Sequence, residues 1–132
     1  AAVSVARRVA EHAARRSPDQ IALMHVGRTA AAAHRARCVL EAAARAVDGG
    51  EARGAAGARL ALLVRHTVRQ ASEEILTDAA HAMGPAPLVA EEDHAQRVAD
   101  LQVYLRQEHA ERDAAALGHA VLADSSTADV AT

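Results

Sequence analysis

Lysine, phenylalanine and tryptophan are absent from this sequence, and tyrosine and cysteine occur once each, as Tyr104 and Cys38. A single cysteine excludes an internal disulfide and makes a reducing, cytoplasmic setting the default expectation. The position of Cys38 in a helical pattern marks it as a small buried hydrophobe. All fifteen basic residues are arginines, interleaved with seventeen acids for a net charge of -2. No basic patch of the kind that binds nucleic acid is formed. No apolar run reaches membrane-spanning length and no signal peptide is visible, so neither nucleic acid nor membrane is an expected partner. β-branched and aromatic runs are too scarce for strands. Alanine fills much of the 51% hydrophobic content, which favours helices packed closely through small side chains.

The chain reads as one domain over residues 1–123, an all-α, up-and-down four-helix bundle, followed by a flexible tail over 124–132. The first helix covers about 2–16, with Val5, Val9 and Ala13 on one face. Ser17-Pro18-Asp19-Gln20 then signals a new start, with Ser17 as cap and Gln20 completing a capping box. That second helix spans 18–48, with Ile21, Met24, Ala31, Cys38 and Ala42 as its apolar positions, and Gly49-Gly50 stop it. The third helix, 58–83, carries the cleanest stripe: Leu60, Val64, Val68, Ala71, Ile75, Ala79 and Ala82. Gly84 ends it, and Pro85 and Pro87 prevent its continuation. The fourth helix, 91–122, opens on Glu91, Glu92 and Asp93, which suit the positive end of the helix dipole. So many small side chains imply modest apolar burial, which self-association would supplement.

The stretch from Gly84 to Glu108 carries a family resemblance. A glycine loop is followed by a helix with an aspartate, a tyrosine four residues later and a glutamate four residues after that: Gly84, Asp100, Tyr104 and Glu108. With its flanks, from about Gln20 to Leu122, this resembles the C-terminal helical domain of the flavin-dependent acyl-CoA dehydrogenases. The resemblance implies a homo-oligomeric oxidoreductase acting on an acyl thioester, carried on coenzyme A or a carrier protein. In it, FAD sits between this bundle and a separate β-domain, so these residues supply half a site. Glu108 is the implied catalytic base, and Gly84 and Tyr104 are the implied cofactor-binding positions. Two other readings stand beside it: a non-catalytic helical oligomerisation or interaction module, and a relative of the flavin monooxygenases or nitroalkane oxidases that shares the fold.

Asp100 is expected to pair with Arg97 or Arg69, and Arg59, Arg65 and Arg69 to form either a solvated face or contacts to phosphate. Eight histidines raise the question of a metal. Glu91-x-x-His94 has di-iron spacing and Asp78-x-x-His81 imitates it, but that chemistry needs two true pairs and two further glutamates, so no metal is expected.

Overall fold

The computed structural model describes residues 1–15, 17–107 and 109–129, with residues 125–129 described by backbone alone. It is all-helical, with six helices and no strand among the described residues: α1 (Ala2–Ala14), α2 (Gln20–Asp48), α3 (Gly54–Met83), α4 (Ala86–Ala90), α5 (Glu92–Arg106) and α6 (Ala110–Asp129). None of these helices is long and apolar enough to cross a membrane.

The α2–α3 hairpin is the frame. At its turn the N–H groups of Glu51 and Ala52 both donate back to the Ala46 carbonyl, at 2.9 and 3.1 Å. The turn folds so closely that a Cβ at Gly57 would lie 2.6 Å from the Ala52 carbonyl oxygen. α1 packs on both arms of the hairpin, and α5 packs on α1 and α3. These four helices enclose the core, which is built from Val5, Val9, Ala32, Ala71, Ile75, Ala79 and Met83, with Val98 of α5 packed against it. α6 lies along the opening half of α3, where Arg65 and Arg59 reach Asp113 and Asp124.

The α3 stripe stands as read, since every one of its seven positions is buried or half-buried. The α2 face does not. Its buried residues are His25, Thr29 and Ala32, while Ile21, Met24, Ala31, Cys38 and Ala42 are all exposed. Alanine occurs on every side of α2, so apolar spacing could not choose a face. Two polar residues inside the interface chose it instead.

Boundaries shift for local reasons. Asp19, rather than Ser17, caps α2: its extended backbone lets its carboxylate accept from the Ala22 N–H at 2.8 Å. α1 ends at Ala14, and α3 begins at Gly54 rather than at 58. The expected helix over 91–122 is divided into α5 and α6. At the division Gln107 N–H bonds the Tyr104 carbonyl, a tightened last turn. Val98 and Gln102 of α5 share a small cavity with Ala79 and Leu76. α6 runs antiparallel to α3, since Asp113 meets Arg65 and Asp124 meets Arg59. α6 also reaches Asp129, through residues expected to form a tail.

Candidate functional site

Asp78 is 2% exposed, inside the α2–α3 interface near the C-terminal end of α3. A carboxylate there must be paired. His25 Nδ1–H donates to one oxygen at 2.9 Å and Arg28 Nε–H to the other at 3.0 Å. His25 is positioned from behind, because Thr29 Oγ1 donates to the His25 carbonyl at 2.9 Å and locks that turn of α2. The edge of His81 meets the His25 ring at a centroid distance of 6.1 Å. His25 and His81 border a cavity of about 290 Å³, together with His12, Ser17 and Asp19. A carboxylate that fixes one imidazole nitrogen leaves the other able to accept or return a proton. Among the described residues no side chain is hydrogen-bonded to His25 as a nucleophile would be. The cluster therefore holds α2 to α3 through two donors on one buried carboxylate.

A second cleft, of about 520 Å³, opens between the C-terminal half of α1 and the Gly84 turn. Arg8, His12 and Arg15 line it from α1; Gly84, Pro87 and Glu91 face them. Gly84 has φ 64° and ψ -164°, a backbone region reserved for glycine, and nothing lies within 4 Å of where its Cβ would be. Arg8 is only 8% exposed and forms a two-pronged pair with Glu91, Nε–H to Oε2 at 2.6 Å and Nη2–H to Oε1. Those bonds hold the Glu91 carboxyl below its usual range and raise the Arg8 guanidinium above its own. Glu91 stands at the N-cap of α5 but caps nothing with its side chain, since both oxygens serve Arg8. His94, one turn on, is buried, and burial pushes its imidazole down, helped by Arg8 and Arg97 and opposed by Glu91.

Of the sequence-derived site residues, Gly84 sits in this cleft. Tyr104 lies near the far end of α5, about 18 Å along the axis from the helix start, and is 53% exposed. Glu108 lies outside the described residues. Asp100 takes its hydrogen bond from Gln96 Nε2, at 2.6 Å, rather than from Arg97 or Arg69. Arg69 pairs instead with Glu73 and Arg97 with Asp93. Arg59 and Arg65 tie α3 to α6 through Asp124 and Asp113. Cys38, expected inside, is exposed, with His34 Nε2 at 3.4 Å from its sulfur. Of the two metal-like spacings, one is consumed by the Arg8–Glu91 pair and the other pairs Asp78 with His25 instead of His81. Among the described residues no three His, Cys, Asp or Glu side chains converge on a metal position.

Sequence reading passed over His25 and Arg28 because their link to Asp78 spans 53 and 50 positions. A signal was present: Asp78 interrupts the apolar stripe between Ile75 and Ala82, and an acid on a core face demands a partner. No protein-family model, curated protein or solved structure matches this chain.

Proposed function

We propose that this chain is an association module: a helical domain whose work is to bind another protein surface. One observation carries the reading. Many large aliphatic side chains stand outside while alanine and valine make up most of the interior. Leu23, Leu40, Leu63, Val103 and Val121 are all about half exposed or more, whereas the largest fully buried side chains are Ile75, Val5, Val9 and Thr29. Moving apolar area from water to a partner returns roughly 25 cal/mol per Å², so a fold that leaves five of its eleven leucines exposed gains from being covered. Functionally the two arms of the hairpin, α1 and the divided α5–α6 path act as one up-and-down bundle, with the Asp78 cluster holding α2 to α3.

A second reading follows from the Gly84 turn, which opens unobstructed on the cleft beside Arg8 and Arg15. There the chain is one part of an acyl-CoA dehydrogenase-like flavoprotein. Gly84 and Tyr104 border FAD and Glu108 serves as the base, with the remaining half of the site supplied by another domain or subunit.

One sample tests both. The native species is isolated from its source cells, its mass taken by light scattering and its visible absorbance recorded. A discrete assembly heavier than the chain's own polypeptide, without flavin colour, is the expected result. A single species of the polypeptide's own mass overturns the association reading. A flavin spectrum replaces it with the second.

A further inference from the structure

α1 covers only part of its track along α2. Val26 and Ala33, seven residues apart, pack against the core beneath α1 and border the groove it makes with α2. The same seven-residue step continues to Leu40 and Val47. α1 has 13 residues against 29 in α2, about 20 Å against about 44 Å of helix, and does not reach them. Leu40 and Val47 are left 51% and 64% exposed. The line of α2 that α1 covers at one end of the hairpin is thus left uncovered toward the other.

The edge of this uncovered line says what fills it. Along the outer side of α2 run Arg37, Glu41, Arg45 and Asp48, in the order plus, minus, plus, minus. All four are exposed, and none makes an ion pair among the described residues, although Arg37–Glu41 and Glu41–Arg45 have the spacing for one. Read backwards, the series changes sign at every place. A second α2 laid antiparallel sets Arg37 against Asp48 and Glu41 against Arg45, and two-fold symmetry makes each pair twice. Within two residues, about 3 Å, of this register Leu40 also comes opposite Val47. A parallel copy would set every charge against its like.

We propose that the uncovered half of the α2 track is a self-association site, filled by the same segment of a second copy running antiparallel. The proposal rests on the association reading above and specifies its partner. The contact from Ala36 to Asp48 covers about 18 Å of a helix about 10 Å wide, a footprint of roughly 200 Å², far below the roughly 800 Å² a side of a standard stable interface. The dimer is accordingly weak, concentration-dependent and weakened by salt.

Sedimentation equilibrium at low salt with reductant tests this on four samples: the unaltered chain, R37E/R45E, E41R/D48R, and an equimolar mixture of the two variants. Circular dichroism first confirms equal helix content. The unaltered chain is expected to dimerise, each variant alone to associate at least tenfold more weakly, and the mixture to recover the original affinity. If all four dimerise alike, the contact uses another face and the proposal fails, while the association reading survives. If the unaltered chain stays monomeric up to millimolar concentration, the proposal also fails. The native mass then separates the two claims: a heavier native assembly keeps the association reading with a different partner, and a native monomer removes both.

Discussion

Asp78 is the residue on which the α2–α3 interface turns. A buried carboxylate left unpaired costs several kcal/mol, about 3–5 when one partner of a buried pair is removed. Here two donors from α2 share that carboxylate, one per oxygen. Replacing it breaks the arrangement from the acceptor side: Asp78→Ala strands the His25 Nδ1–H in a nearly dry interface. The expected loss is about 1–3 kcal/mol, read as a lower urea midpoint with an unchanged slope. A loss below about half a kcal/mol would show that the cluster is not what holds the two helices. The acid itself was visible in sequence as an interruption of an apolar stripe. Its partners were not, because Ile21, Leu23, Met24 and Val26 flank His25 on several sides of the helix and nothing local marks its own face of α2 as inward.

Among the elements, α1 and α5 are joined by a polar clasp that responds to acid. The Arg8–Glu91 pair connects them across the cleft, and His94 is buried one turn into α5. Both titrating groups are depressed from their ordinary values of 6.5 for His94 and 4.5 for Glu91. The unfolded chain therefore takes up protons that the folded chain resists. Stability is complete above about pH 6.5, declines below it as His94 is forced to protonate, and declines further below about pH 4.5 as the Arg8–Glu91 pair is lost. The urea midpoint is expected to drop between pH 7 and pH 5, and His94→Gln to flatten that part of the curve. An unchanged drop in the variant would assign it elsewhere. Legibility at this scale followed the amount of contrast in the sequence. α3 alternates valine, isoleucine and leucine with charge, so its period shows. α2 spreads its alanines and its larger apolar residues over every side, so it does not. The division between α5 and α6 follows Gln107 without glycine or proline, so no local signal in the sequence marks it.

For the molecule as a whole, composition fixed the class: without aromatic and β-branched runs the chain had only helices available. It could not fix how many helices, or which faces they leave uncovered. The site was less legible still. Gly84 is correctly marked as a special turn, by the glycine and the prolines after it. The basic cleft it opens on depends on α1, some seventy residues upstream, and the motif around Tyr104 says nothing about that. The two halves of the molecule also differ in how they are held. At the α1 end, burial dominates. At the other, α6 has no fully buried residue among those described and is tied to α3 by the Arg65–Asp113 and Arg59–Asp124 pairs. The Arg59–Asp124 pair is exposed on both sides and the Arg65–Asp113 pair on its arginine side; such pairs contribute little, about 0–1 kcal/mol each, and salt screens them. α6 is therefore a separate cooperative unit that opens without disturbing the rest. Its amides should exchange with deuterium well before those of α3, and faster as ionic strength rises, while the amides of α3 around Ile75 report only global unfolding. Equal protection of the two helices, indifferent to salt, would mean that they open as one.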